Sequence, residues 1–275
     1  RMNNTTSKDE DFWLDDKHCS QGHKSKTLEI LDTLKADGEI KTIFQCLHTI
    51  RNNPDNQEQV ESGLSKTQRQ TLNDLLKIHQ ADWLLNPKSN NAEGLRRLLF
   101  AMLNDVRLVL ILLAEQLVLM RAALNFSKDL QKQLATSTMT YHAALANRLG
   151  VWQIKWELED LSFRYLDTKT YRMIANKLAE KRDDREHFIQ RCSAELHQAL
   201  KDHDINADIA GRPKHIYSIY KKMQQKKLQF EGLYDIRAIR VLVDTVADCY
   251  AALGLVHAKW PHVPKEFDDY IAQPK

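Results

Sequence analysis

The sequence predicts an α+β chain in which a long helical portion precedes a shorter segment of alternating strands and helices. Three observations predict it. Glycine and proline, which interrupt helices, number only 8 and 6 among 275 residues. Across the first two thirds, apolar residues recur mostly at helical spacing. Past residue 206 the pattern becomes strand, helix, strand, helix: Ala207 to Ala210, Lys214 to Leu228, Ile236 to Val243 and Val246 to Lys259.

In chain order, Lys24 to Lys35 and Ile40 to Ile50 predict short helices separated by Ala36-Asp37-Gly38, and N-N-P-D-N from Asn52 to Asn56 predicts a turn. Ala92 to Leu124 carries a nearly continuous helical pattern with a break near Asn104-Asp105. Leu108 to Leu113 within it is apolar enough to belong at the centre of a core. Gly150 separates two further helices as a cap or bend. In the second, Trp152, Trp156, Leu158 and Phe163 carry the apolar mass, while Lys155, Glu157, Glu159 and Asp160 decorate the rest. Tyr171 to Leu200 predicts one long amphipathic helix with K-R-D-D-R-E-H as a solvated face, and Lys201 to Asn206 a linker.

A content of 43% hydrophobic and 28% charged residues is ordinary, and the length suffices for two domains with real cores. A net charge of +3 is too small to imply nucleic acid by itself. Cys19, Cys46, Cys192 and Cys249 are far apart and form no C-x-x-C pair, which favours a reducing cytosol over a disulfide framework. The start, R-M-N-N-T-T-S-K-D-E-D, has no apolar signal core. Leu108 to Ala114 falls short of the roughly 18 residues that a membrane span needs. The expectation is a soluble cytoplasmic chain with no membrane partner.

The chemistry is concentrated between Gly211 and Arg240. Pro213 favours a helix start, and Ile216, Tyr220 and Met223 recur at 0, 4 and 7 as its apolar face. Lys214, Ser218 and Lys222 recur at 0, 4 and 8, with Lys221 beside them, as a ladder of donors. Arg212 precedes the first turn, where free backbone N–H groups favour anions. Asp235 stands at the entrance of the next strand, where a carboxylate can hold Mg²⁺. A cation cradle and a metal carboxylate are the minimum kit for phosphoryl-group transfer. The same pattern also describes a solvated basic helix or a nucleic-acid face, and spacing alone does not decide among them.

The motifs G-R-P-K-H-I-Y-S-I-Y-K-K-M, Y-D-I-R-A-I-R-V-L-V, D-C-Y-A-A-L-G-L-V-H and D-D-Y-I-A-Q-P-K resemble the opening half of the synthetase domain of the RelA/SpoT family. These enzymes make ppGpp and pppGpp. The resemblance also covers Tyr141 to Tyr171 and Ala92 to Arg121, and covers the first ninety residues poorly. It implies an all-α HD-like pseudo-hydrolase domain (1–130), a helical linker bundle (131–200), and the start of a nucleotidyltransferase-like α/β synthetase domain (201–275). Position by position, Arg212 resembles the residue that stacks on the adenine of ATP, and Lys214, Ser218, Lys221 and Lys222 those around its phosphates. Asp235 matches the Mg²⁺ ligand, and Arg240 a basic position in the same strand. Asp235, Lys222 and Arg240 are the expected catalytic set.

The implied reaction moves the β,γ-pyrophosphoryl group of ATP to the ribose 3′-hydroxyl of GDP or GTP. In the family, the guanine-stacking tyrosine and the glutamate thought to act as base lie in motifs after Pro274-Lys275. The chain as given is therefore expected to bind ATP without completing the chemistry. Glu266-Phe267-Asp268-Asp269 fits the E-x-D-D pattern of monofunctional RelA-type synthetases. Ribosome and uncharged tRNA are implied only for a longer parent.

An HD-type hydrolase site needs two His and two Asp. His23 falls near the first ligand position and His48 at the second, but Thr49 replaces the following Asp, and Asn52 and Asn53 the acidic pair. L-A-E-Q-L-V-L-M-R stands where the family resembles L-A-D-R-L-H-N-M-R, so Glu115 replaces the last Asp, and Val118 and Leu119 a polar pair. Thr and Asn supply no anionic oxygen for a hard cation. No Mn²⁺ site and no hydrolase activity are expected, with His23 and His48 left as ordinary histidines. The alternatives are a catalytically silent nucleotide-binding fragment and a bifunctional enzyme that still hydrolyses ppGpp.

Overall fold

The computed structural model describes residues 21–79, 105–180, 182–212, 214–233, 236, 238–263 and 267–274, without the side chains of 21, 182–185 and 212. The chain forms two compact units, Arg1–Lys169 and Thr170–Lys275.

The first unit is helical throughout its described residues: α1 (Gln21–Thr33), α2 (Gly38–Asn52), α3 (Gln57–Ser62), α4 (Lys66–His79), α5 (Leu108–Ala122), α6 (Lys128–Ser137), α7 (Ala143–Arg148) and α8 (Trp152–Leu166). Local chemistry sets the boundaries. Asp37 opens α2 by accepting a 2.9 Å hydrogen bond from the Ile40 amide, and Ser127 opens α6 through the Leu130 amide. The predicted turn at Asn52 to Asn56 is where Asn53 closes α2 and Pro54–Asn56 forms a 3-10 turn. Gly150 separates α7 from α8 at φ +70°, a conformation that glycine adopts without a Cβ penalty.

The core is built around α5. Leu108, Val109, Ile111, Leu113, Ala114 and Met120 are fully buried, because α1 and α8 pack directly on this helix. By length and composition alone, Leu108–Asn125 is apolar enough to cross a membrane, so the apolar run is longer than the sequence reading allowed. Yet 72% of it is buried inside the protein, as expected for a helix apolar on every side. Polar links hold its ends. Arg107 reaches Asp37 at 2.5 Å and Glu39 at 3.0 Å on α2, and Arg121 makes a forked pair with Glu157 of α8 at 2.6 and 2.8 Å. The segment from 92 to 104, expected to continue this helix, lies outside the described residues.

One expectation is corrected on α8. Glu159 is buried rather than solvated, 3.9 Å from Lys155. The reason is that α8 packs on α5, α6 and α7 together, leaving little of its circumference to water.

Between α6 and α7, Thr138–His142 forms a π turn. It carries a buried polar bridge: Gln116 Nε2 donates to Thr138 Oγ1 at 2.7 Å, and that hydroxyl donates to the Leu134 carbonyl at 2.6 Å. His142 is also buried, and its Nδ1 makes no hydrogen bond among the described residues. Burial pushes the imidazole down to about 4, against a smaller upward pull from a backbone hydrogen bond at Ser137.

The second unit contains α9 (Thr168–Glu180), α10 (Arg182–Lys201), β1 (Ala207–Arg212), α11 (Ile216–Lys226), β2 (Ala238–Val243) and α12 (Val246–Lys259). Two helices, α9 and α10, stand where the sequence predicted one, with Lys181 between them outside the described residues. Cys192, Leu196, Ala199 and Leu200 line the buried side of α10 at helical spacing. A two-stranded ribbon is marginal by itself; here α10 packs on both strands, and α12 packs on β2 and α10.

The depressed His142 value predicts acid sensitivity. The folded group titrates near 4 and the unfolded one near 6.5, so protonation favours the unfolded chain. Stability is full above pH 6.5 and declines toward pH 4, by on the order of 3 kcal/mol from this group. Urea melts across that range check it, and His142→Leu is expected to flatten the slope.

Candidate active site

In the second unit, β1 and β2 pair antiparallel with Ala207 opposite Val243, Ala210 opposite Arg240 and Arg212 opposite Ala238. Gly211 is required by packing: a Cβ built there would lie 2.9 Å from Cγ2 of Ile189 on α10. The strand can therefore approach that helix only without a side chain at 211.

Arg212 is the last residue of β1. Lys214 lies ahead of α11, whose N-cap His215 has extended backbone at φ −72° and ψ 143°. The helix thus begins two residues later than predicted, and the helical ladder is corrected to Ser218 and Lys222, with Lys214 in the loop before it. The buried face is also corrected: Ile219 and Met223 are buried, with Ile216 and Tyr220 half-buried. Lys221 is exposed, its Nζ 5.5 Å over the Tyr217 ring, which stacks on Tyr220. Arg240 is exposed on β2, whose accessibility alternates along Arg240 to Val243 as a half-buried strand requires. Asp235 lies outside the described residues, and Ile236 precedes the strand.

In the E-x-D-D motif Glu266 is outside the described residues, whereas Asp268 and Asp269 have local work. Asp268 accepts a hydrogen bond from Tyr270. Asp269 Oδ1 accepts from the amides of Ile271 and Ala272, each at 2.9 Å, and Oδ2 from the Tyr250 hydroxyl at 3.2 Å. Those contacts, the Ala272 amide foremost, hold the Asp269 carboxyl below its ordinary value. Tyr250 was not visible to sequence reasoning, because it acts from another element.

The first unit gathers the degenerate hydrolase residues and adds two that the sequence did not single out. Glu115 on α5 is buried. Arg51 Nη1 on α2 donates to its Oε1 at 3.0 Å, and His79 Nε2, at the end of α4, lies 2.7 Å from its Oε2. The other ring nitrogen of His79 is 2.8 Å from the Leu75 carbonyl. Both neighbours are acceptors, so the ring is placed to donate from either nitrogen that carries a proton. Burial pushes the Glu115 carboxyl up, but His79 and Arg51 outweigh burial and hold it at about 2.

His48 is buried, with Asn52 Nδ2 3.1 Å from its Nδ1. His23 is close enough to feel Glu115, Arg51, His48 and His79, and burial foremost lowers its value. Thr49 turns its hydroxyl to the Gln45 carbonyl, and Asn53 caps the following turn. Val118 and Leu119 are buried in the core. Arg51 had a sequence signal, a cation inside H-T-I-R-N-N; His79 lies outside every motif.

Comparison with known proteins follows this division. Residues 11–152 match the model of the HD domain, and residues 211–275 match the region found in RelA / SpoT proteins. The chain belongs to the RelA/SpoT family. A GTP pyrophosphokinase of Haemophilus influenzae is 42% identical over 90% of this chain and 34% of its own length. One of Escherichia coli K12 is 46% identical over 68% of the chain and 25% of its length. A Synechocystis relative, named a probable guanosine-3′,5′-bis(diphosphate) 3′-pyrophosphohydrolase, is 38% identical over 79% and 29%. The chain thus spans about a third or less of these RelA/SpoT relatives.

Gly211→Ala is expected to destabilise the second unit by about 1 to 3 kcal/mol through overpacking against Ile189. Pairing it with Ile189→Ala should recover part of that loss, read by thermal melting of the single and double variants.

Proposed function

We propose that this chain is the N-terminal part of a RelA-type (p)ppGpp synthetase, which transfers pyrophosphate from ATP to the 3′-hydroxyl of GDP or GTP. The observation that carries the reading is that Ser218 and Lys222 share one face of α11, directly after β1, within the segment matching the RelA/SpoT region. The names of the Haemophilus and Escherichia relatives point the same way.

In this reading Lys214, Ser218, Lys221 and Lys222 bind the ATP phosphates and Arg212 packs on the adenine. Asp235 is the oxygen ligand for the Mg²⁺ that accompanies the nucleotide, which neutralises phosphate charge. Lys222 and Arg240 oppose the negative charge that develops on the transferred group. The proton of the ribose hydroxyl goes to a base that follows Lys275 in a longer parent. We divide the chain into an HD-type domain (1–130), a helical linker (131–200) and the start of the synthetase domain (201–275). The setting is the cytoplasm, and ribosome and uncharged tRNA are partners of the parent's further domains.

The HD-type domain is inactive in this reading, since Thr49, Asn52 and Asn53 supply no anionic oxygens. The Synechocystis relative's name supports a bifunctional alternative. Release of pyrophosphate from ppGpp with Mn²⁺ would decide for that alternative.

The synthetase reading is tested with labelled ATP and GDP on the full-length parent. Labelled ppGpp is the expected product, and Asp235→Ala or Lys222→Ala should reduce its rate by at least about 100-fold, as loss of one charge-stabilising group does. Unchanged synthesis by Asp235→Ala would overturn the site.

A further inference from the structure

We propose that Arg51 is a built-in cation: its guanidinium, with the His79 ring beside it, takes the place on Glu115 that a divalent metal would take in a working HD pocket. The inference deepens the inactive-hydrolase reading and rests on it. It replaces a list of missing ligands with a present group that keeps metal out.

The donor set does not fit a hard divalent cation. Both Glu115 oxygens are engaged, Oε1 by Arg51 at 3.0 Å and Oε2 by His79 at 2.7 Å. The His48 Nδ1 is 3.1 Å from Asn52 Nδ2, an amide nitrogen with hydrogens to donate. Among the described residues, no three His, Cys, Asp or Glu side chains are grouped so as to hold a metal. Charge gives the same answer. One carboxylate already faces a guanidinium, with an imidazole on its other oxygen, so an entering cation meets like charge at close range in a site of low accessibility.

The burial pattern explains why a substitute cation is needed. Glu115 lies on the most buried of the described helices, with its side chain only 11% exposed. A carboxylate there without a counter-charge is among the most costly groups that a core can hold. Arg51 comes from α2, His79 from α4 and Glu115 from α5, so the triad joins three helices as a metal would. Arg51 also supplies a fixed charge that no change of pH or chelator removes.

The test is a double-mutant cycle on the whole chain, read by melting temperature with EDTA and with Mn²⁺. Arg51→Met should lower the melting temperature by on the order of 10 °C by stranding Glu115. Glu115→Gln should also lower it, and the double variant should lose clearly less than the sum. Wild type should melt within about 1 °C in EDTA and in Mn²⁺, since only binding to the folded state shifts the midpoint. If Arg51→Met fails to fold, Arg51→Lys supplies the cycle, keeping the charge and melting a few degrees below wild type.

Additive losses, or a saturable rise of the wild-type midpoint with Mn²⁺, would overturn the built-in cation. A parallel ppGpp hydrolysis assay separates the two ideas. Hydrolysis by wild type refutes the inactive-hydrolase reading, whereas no hydrolysis with additive losses refutes only the role of Arg51.

Discussion

One carboxylate inside an apolar helix constrains the whole N-terminal unit. Most residues around Glu115 on α5 are buried hydrocarbon, and the neighbouring Gln116 is engaged by Thr138, so its charge must be met by groups that reach in from other helices. Arg51 and His79 do so, and the positions of α2 and α4 against α5 are coupled to that requirement. The surface pairs elsewhere in the unit, such as Arg121 with Glu157, are half exposed and each adds little. The Glu115 triad differs because losing any partner leaves a charge in the core.

The C-terminal unit handles charge the opposite way. Lys221 and Arg240 stand exposed on α11 and β2. A buried ion pair fixes structure, while exposed cations beside a strand can exchange water for ligand. The two units therefore suit different tasks. In the first, charge is neutralised internally and serves packing; in the second, it stands at the surface.

Much of this was legible in the sequence, for identifiable reasons. Periodicity gave the helices near Lys24 to Lys35 and Ile40 to Ile50, the apolar helix from Leu108 and the pair around Gly150, and Asp37 and Gly150 fall at boundaries set by capping and φ; α3, α4 and α6 were not read from the sequence, because their apolar faces are short and polar residues dominate them. The helix start after Pro213 was misjudged by two residues, because His215 continues the extended backbone into the N-cap. Glu159 was misread as solvated, since one helix's composition does not reveal how many neighbours surround it. His79 and Tyr250 were missed because each meets its carboxylate across elements. Motif spacing finds residues that act together within one segment, and both of these act between segments.

We propose that the HD-type pocket balances its own charge and that nucleotide chemistry belongs to the C-terminal segment. The direct measurement is the titration of the Glu115 carboxyl by carbon NMR with selectively labelled glutamate, assigned with Glu115→Gln. The account predicts a midpoint near 2, well below the ordinary 4.5, because the His79 ring and the Arg51 guanidinium hold the charged form. A midpoint at or above 4.5 would show that burial dominates and that the triad does not neutralise the site.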